Sequence, residues 1–351
     1  MEMAPESWTE LVDLEKLRDW MDMQGLESGP LEDVTSLAGG TQNILLRFKR
    51  GGRAFVLRRP PHRPHMNGSE TMRREARVLG ALKGSDVPHP GLIAACPTDD
   101  VLGAAFYLME PVEGFNATVG LPPLHAGDPK IRYGMGLAIA DGAAALGRVD
   151  YVAAGLSDLG KVENYLERQV KRWRSQLESY AEYEGWAGPG DIPGVDKVAD
   201  WLEANRPGSF KPGIIHGDYH LANVMYRFDG PELAAIVDWE LTTIGDPLLD
   251  LGWLMATWPD GEGRGSTGSV GVQPWDGFPT AQELVARYAE GSARDLSAIE
   301  WYAVLACYKL GIILEGTNAR AAAGKAPKET GDMLHASTIG LFRRALGWIG
   351  G

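Results

Sequence analysis

Cys96 and Cys307 are the only two thiols in 351 residues. Two cysteines build neither a disulfide framework nor a zinc cluster, so both are expected as small buried apolar side chains. Bases are scarce too: 34 Lys and Arg face 47 Asp and Glu, a formal net charge of −13. A surface of that sign repels a phosphate backbone, which argues against nucleic acid as a partner. No apolar run approaches the roughly 20 residues that a membrane span requires. The first residues, Met1-Glu2-Met3-Ala4-Pro5-Glu6, are acidic with no apolar stretch behind them, so the expected setting is the cytoplasm with no membrane partner. Internal repeats and long low-complexity tracts are missing, although Gly261 to Gly277 is rich in Gly and Ser and reads as a surface loop. What the chain does have is 44% hydrophobic residues, enough to fill two cores in a chain too long for one.

Chemistry concentrates between Ile214 and Asp238. His216, Asp218 and Asn223 keep the spacing H-x-D-x-x-x-x-N, and Asp238 follows in Ile236-Val237-Asp238-Trp239-Glu240. An aspartate able to take a hydroxyl proton, an asparagine and a second aspartate are the parts of a phosphoryl-transfer centre. Residues 224–228 and 233–237 flank Asp229-Gly230-Pro231-Glu232, which predicts a β-hairpin. With those four residues as the turn, Asn223 lies opposite Asp238, about 4.5–5.5 Å apart at Cβ. One carboxylate and one amide oxygen suit Mg²⁺, which favours hard oxygen ligands and shares its shell with ATP phosphates. Asp218 is then free to act as base, and His216 is expected to orient the loop by hydrogen bonding. His216, Asp218 and His220 also alternate, and imidazole and carboxylate ligate zinc or iron. A metal-dependent phosphohydrolase is therefore the runner-up, and a nucleotide-binding pseudokinase without turnover is a third class.

The run His216-Gly217-Asp218-Tyr219-His220-Leu221-Ala222-Asn223 resembles the signature of the aminoglycoside phosphotransferase-like kinases. Ile236 to Leu251, with Gly245-Asp246-Pro247-Leu248-Leu249-Asp250, is similar to their second conserved segment. The resemblance covers roughly residues 30 to 345. It implies an α+β, protein-kinase-like fold with an N-terminal antiparallel sheet lobe carrying one main helix and a larger, mostly helical C-terminal lobe. It also implies Asp218 as catalytic base, Asn223 and Asp238 as Mg²⁺ ligands, and Asp250 as a brace for the catalytic loop. Asp246, ahead of Pro247 and an apolar run, reads as a helix N-cap.

Such a fold needs an upstream nucleotide lobe, expected over residues 1–110, with residues 111–351 forming the catalytic and acceptor-binding lobe and a hinge near 109–114. Strand, turn and strand are read over residues 34–48, with Gly39, Gly40, Thr41 and Asn43 placed to fold over ATP phosphates. Arg58 ends a third strand where kinases carry lysine, and Glu75 sits early on a helix with apolar spacing at Met72, Ala76, Leu79 and Leu82. A guanidinium forks onto carboxylate or phosphate, so Arg58 is expected to bridge Glu75 and the nucleotide. Ala105 to Met109 reads as a strand entering the hinge, where backbone groups from Glu110 to Val112 would meet adenine.

An amphipathic helix is expected over residues 8–24. A second helical stripe, Val162, Tyr165, Leu166, Gln169, Val170, Trp173 and Leu177, is core, and Arg168, Lys171, Arg172 and Arg174 opposite it read as a solvated face. Glu167 to Trp173 resembles the branch of the family found fused to acyl-CoA dehydrogenases. Residues 261–351 carry nine acids and nine bases, so the C-terminal region lacks the carboxylate surplus that a polycationic aminoglycoside needs. The small-residue-rich, basic segment 316–328 brings forward Arg320 and Lys325 as acceptor contacts. The expected acceptor is a small molecule with a neutral or anionic hydroxyl-bearing group, a hydroxyacyl thioester by resemblance, with aminoglycosides poor substrates.

Overall fold

The computed structural model describes residues 8–37, 43–61, 68–265 and 271–350. Strands β1 (Glu32–Ser36), β2 (Ile44–Arg50), β3 (Arg53–Arg59), β4 (Leu92–Cys96) and β5 (Phe106–Met109) form one antiparallel sheet in the order β1-β2-β3-β5-β4. Gly51 and Gly52, at φ 55° and 81°, close the β2–β3 hairpin as the two-residue turn between paired Arg50 and Arg53. Alternate residues of β2 point inward. Leu46 and Phe48 thereby meet Phe55, Leu57, Phe106 and Leu108 in a small core.

The helix expected over residues 8–24 is two: α1 (Trp8–Leu11) and α2 (Leu14–Met23). Asp13 breaks it, because its carboxylate accepts the Glu15 and Lys16 N–H groups and caps α2 afresh. Leu17, Trp20 and Met21 of α2 seal the small core. Helix α3 (Gly68–Ala81) turns Met72, Ala76 and Leu79 toward a different, larger core, which Tyr107 also joins. The larger core therefore reaches back across the hinge and ties the sheet lobe to the helical one.

The second lobe carries α4 (Pro123–Gly127), α5 (Pro129–Arg148), α6 (Gln169–Ser179), α7 (Val195–Ala204), α8 (Leu248–Thr257), α9 (Ala281–Glu290), α10 (Ile299–Ala322) and α11 (Lys328–Ile349). Between α7 and α8 lie two short antiparallel pairs, β6 (Gly213–Ile215) with β9 (Thr243–Gly245) and β7 (Val224–Tyr226) with β8 (Leu233–Ile236). Helix α10 is apolar nearly all round and is buried among its neighbours. Helix α6 starts only at Gln169, so Val162, Tyr165 and Leu166 pack from turns rather than from a helix. The N-cap of α8 is Pro247 rather than the expected Asp246, which sits one residue ahead and still takes the Leu248 N–H on its carboxylate at 3.0 Å. Both cysteines are buried and free. The whole is the expected α+β, two-lobed, kinase-like architecture, and no described helix is long and apolar enough to cross a membrane.

Candidate active site

Buried strand β6 delivers the chain into His216-Gly217-Asp218. Gly217 stands at φ 91°, and a Cβ there would lie 2.7 Å from the Leu241 carbonyl oxygen, so no larger residue fits. Asp250, near the start of α8, accepts the N–H of His216 at 2.7 Å and of Gly217 at 2.9 Å, one on each carboxylate oxygen. Burial pushes its carboxyl up to about 7, against the pull of those two donors and of Lys309. The loop is thus held by backbone donors reaching a buried carboxylate on a rigid helix.

His216 is fully buried, and that burial lowers its pKa and keeps the ring neutral. Its Nε2–H donates to the Val237 carbonyl at 2.9 Å, while Nδ1 accepts the Asp218 N–H at 3.3 Å. A single neutral tautomer satisfies both contacts. With both ring nitrogens spent, His216 has no lone pair for a metal, and the His216/Asp218/His220 hydrolytic cluster loses one of its imidazoles.

Asp218 itself receives three donors. Trp253 Nε1 donates to Oδ1 at 3.0 Å, Asn223 Nδ2 to Oδ2 at 3.0 Å, and His220 Nε2 lies 3.2 Å from Oδ1. His220 Nδ1 accepts the Ala222 N–H at 3.1 Å, which leaves Nε2 carrying the proton. Burial alone would raise the Asp218 pKa, but His220 and Asn223 outweigh it and hold the carboxyl at about 2.

The predicted hairpin is present with a different register. Val224 pairs with Ile236 and Met225 with Ala235, and the Val237 N–H donates to the Asn223 carbonyl at 2.9 Å. Asn223 therefore lies opposite Val237, not Asp238. The turn begins one residue early, since Arg227 N–H already bonds Glu232 O, and a bulge at Ala234 restores only part of the shift. Asp238 sits just beyond the pair in a left-handed conformation, φ 66° and ψ 66°, which costs about 1–3 kcal/mol in a non-glycine residue. Its Oδ1 accepts from Arg58 Nη2 at 2.8 Å.

Arg58 and Glu75 meet as expected. Arg58 Nε lies 2.8 Å from Glu75 Oε2, Nη2 reaches Oε1 at 3.3 Å, and Tyr107 donates its hydroxyl to Glu75 at 2.7 Å. Glu75 is 1% exposed and Arg58 8%. Burial raises the Glu75 pKa while the guanidinium opposes it. One fork thus ties α3, β3 and the turn after β8 together.

Elsewhere the nucleotide side follows the reading in part. Gly39, Gly40 and Thr41 lie outside the described residues. Asn43 leads into β2 beside Glu240, two residues past Asp238; burial raises the Glu240 pKa while Asn43 opposes the rise. The Glu110 N–H is spent on Gly91 O at 2.8 Å and its carboxylate faces Arg53, so of its backbone groups the carbonyl is the one left for an adenine edge. Val112 makes no backbone hydrogen bond among the described residues, and with Glu110 and Pro111 it lines a cleft of about 530 Å³ that Phe228, Leu233 and Ala234 also border.

Sequence reasoning missed Trp253 and Lys309. Lys309, on α10, points at the His216-Gly217-Asp218 loop: Nζ is 3.4 Å from Gly217 O and 4.5 Å from the Trp253 ring centroid. Desolvation lowers its pKa, against the pull of Asp218 and Asp250. No local signal marks either residue, because the contacts span 35 and 92 positions. Arg320 and Lys325 are elsewhere. Arg320 lies about 16 Å further along α10 than Lys309, at 1.5 Å per residue, and donates to Thr317 Oγ1; Lys325 stacks on Tyr183.

Residues 33–302 match the family model described as APH, phosphotransferase enzyme family. Acyl-CoA dehydrogenase family member 11 of Gallus gallus is 30% identical over 304 residues, 85% of this chain and 38% of that protein. Family member 10 of Mus musculus is 26% identical over 310 residues, 86% of this chain and 28% of that protein. The chain thus spans well under half the length of these curated relatives. A crystal structure from Ralstonia eutropha, provisionally named an aminoglycoside phosphotransferase, matches with TM-score 0.78 and 29% identity over 95% of this chain and 98% of its own. A thermostable mutant of aminoglycoside phosphotransferase APH(4)-Ia, in ternary complex with AMP-PNP and hygromycin B, shares the fold at TM-score 0.56 and 15% identity, over 92% of this chain and 98% of its own.

Proposed function

The chain belongs to the APH phosphotransferase enzyme family, and from that membership and the site geometry we propose that it transfers the γ-phosphate of ATP to a hydroxyl of a small neutral or anionic molecule. The observation that carries this reading is the Asp218 carboxylate, ionised and held by Trp253, His220 and Asn223 at the mouth of a glycine-tightened loop. Asp218 accepts the acceptor hydroxyl as a hydrogen bond, aims its oxygen in line and takes its proton as the new O–P bond forms. A carboxylate this weakly basic positions more than it deprotonates, which suits a loose transition state with little need of an early base.

Asn223 and Asp238 suit Mg²⁺ by donor chemistry. The Asn223 amide nitrogen is spent on Asp218, leaving Oδ1 free, and Asp238 has Oδ2 free beside its bond to Arg58. A bound Mg²⁺ would neutralise charge on the phosphates. Arg58 holds Asp238 at that place and anchors α3 through Glu75. Val112 offers its free backbone groups to the adenine edge, and His216 and Asp250 keep the loop in shape. Residues 1–110 and 111–351 serve as nucleotide and acceptor lobes in this scheme.

Acceptor choice follows from what faces Asp218. The cations on that flank are Lys309 and Arg172, and its one acid, Asp250, is spent on the His216 and Gly217 N–H groups, where a polycationic aminoglycoside would need free carboxylates. A hydroxyacyl thioester is the acceptor this favours, in line with the acyl-CoA dehydrogenase names of the relatives. The test is acceptor-dependent ADP release over a panel of hydroxyacyl thioesters, simple hydroxy acids and kanamycin. Release with a hydroxyacyl compound and little with kanamycin is expected; efficient kanamycin phosphorylation overturns the acceptor assignment, and phosphate release without acceptor overturns the transferase.

Lys309 acts through Trp253 as a positioning residue. Lys309→Met is expected to lower kcat by up to about 10²-fold through misplacement of Asp218, with KM for ATP unchanged and partial recovery in Lys309→Arg. A rise in ATP KM equal to the loss in kcat would mean a general structural role instead.

A further inference from the structure

Beside the catalytic loop a narrow chamber opens into a wide groove. The chamber, about 240 Å³, is walled by Trp173, Trp253, Leu305 and Ile313, with Gly217 and Lys309 at the end next to Asp218. The groove, about 690 Å³, shares Tyr165, Gln169, Arg172, Leu241 and Thr243 with it. Arg74, Lys161, Arg168, Lys171 and Arg172 line the groove, against one acid, Glu240. In a chain of net charge −13 that is a local reversal of sign.

None of the five bases lies within 4 Å of a carboxylate oxygen among the described residues. Their neighbours in sequence are paired: Arg77 with Asp158, and Arg174 with Asp196 and Asp200. The three groove guanidiniums are nonetheless held in place. Arg74 donates to the carbonyls of Leu159 and Thr242 at 3.2 and 3.0 Å, and Arg168 to those of Asn164 and Lys161 at 3.0 and 2.8 Å. Arg172 lies over the Trp173 ring, 5.2 Å from its centroid. Carbonyls and ring faces orient a guanidinium without neutralising it, so the charge stays available to an outside anion. The helix face expected to be merely solvated is therefore one wall of a cationic groove leading to the site.

We propose that this groove binds the phosphate-bearing tail of an elongated acceptor whose apolar, hydroxyl-bearing end enters the chamber beside Asp218. Guanidinium and ammonium groups converging on one groove fit a tail with two or more phosphate charges, which charge-assisted bonds from several sides recognise together. The Trp and Leu walls of the chamber fit an acyl or alkyl segment. The proposal rests on the small-molecule phosphotransferase reading above and adds where the acceptor lies and what its handle is.

The probe is adenosine 3′,5′-bisphosphate, titrated calorimetrically into the protein saturated with AMP-PNP and Mg²⁺, so that the nucleotide site is filled. Binding that weakens steeply with added NaCl is expected. The variant Arg168→Gln/Lys171→Gln/Arg172→Gln should lose about tenfold or more in affinity, as for three exposed ion contacts together, whereas Arg320→Gln/Lys325→Gln should lose none. All three groove side chains are exposed, and the AMP-PNP-induced rise in Tm of each variant verifies its fold. Equal bisphosphate affinity in the triple variant, or no bisphosphate binding to a protein that still binds AMP-PNP, overturns the groove. Failure of AMP-PNP to bind instead counts against the phosphotransferase reading, and bisphosphate titration without nucleotide then decides the groove by the same comparison.

Discussion

Asp218→Asn is expected to abolish acceptor phosphorylation, by roughly 10²–10⁴-fold as for a lost general base, while nucleotide affinity stays nearly intact. The asymmetry follows from the geometry. The Asp218 carboxylate is gripped by Trp253, His220 and Asn223, and none of these contacts runs to the sheet lobe or the hinge. An amide in its place presents N–H to donors that require an acceptor and offers the hydroxyl no base. The wild-type pH profile supplies an independent check. With the folded carboxyl at about 2, below its ordinary 3.8, Asp218 stays ionised through the mildly acidic range, and kcat/KM should show no acidic limb from it above about pH 4. The sign for stability follows: its ionised form stabilises the fold above the unfolded value, and that contribution is lost as pH falls through about 2. Near-normal turnover of Asp218→Asn in single-turnover assays, or an acidic limb near pH 6 that disappears in that variant, would sink the assignment.

The second large effect is expected at Arg58. Removing its guanidinium in Arg58→Ala strands Glu75, 1% exposed, with only the Tyr107 hydroxyl as partner. Breaking a buried pair from one side costs about 3–5 kcal/mol, read as a fall in the urea midpoint. Asp238 also loses the contact that holds its left-handed backbone turn, so Mg²⁺-dependent nucleotide binding should weaken alongside. The stranded carboxylate escapes the cost by protonating, and its folded pKa then rises further above the unfolded value. The deficit against wild type should therefore be smallest at acid pH and grow as pH rises through that elevated value. Arg58→Lys keeps the charge, but one ammonium cannot place separate donors on Glu75 and Asp238 as the fork does. It should fall between wild type and Arg58→Ala in stability, and closer to Arg58→Ala in nucleotide affinity. A lysine variant indistinguishable from wild type in both measurements would show that the fork is immaterial.

Errors in reading the sequence were mostly errors of one residue or of partnership. The β7–β8 hairpin exists because a Gly-Pro turn separates two β-prone runs, and that much is local. Its register is not local. Starting the turn at Phe228 and bulging at Ala234 moved Asn223 from Asp238 to Val237, with Asp238 the next residue along the chain. Similarly, an apolar periodicity over residues 8–24 was visible, but Asp13 found two backbone N–H groups to cap and split the helix. At Glu110 the pairing with Gly91 in the sheet consumed the N–H and left only the carbonyl of its backbone groups.

By itself the sequence determined the kinase-like plan and the residues proposed for its site: the spacing of His216, Asp218 and Asn223, the hairpin beneath them, the Arg58–Glu75 pair, and the Asp250 near the start of α8. The spacing and the hairpin are written in short-range pattern and residue chemistry, whereas the Arg58–Glu75 pair and the Asp250 brace are read through the family resemblance that those motifs carry. Tertiary structure alone decided what surrounds that core. Trp253 and Lys309 come to Asp218 from α8 and α10, across 35 and 92 positions of chain, because helix packing and not spacing brings them there. The same packing turned Arg168, Lys171 and Arg172 from a solvated helix face into the wall of a groove, by laying the 240–243 segment and Arg74 across from them. Charge on a helix is legible in a sequence; whether another element closes over it is decided only when the chain folds.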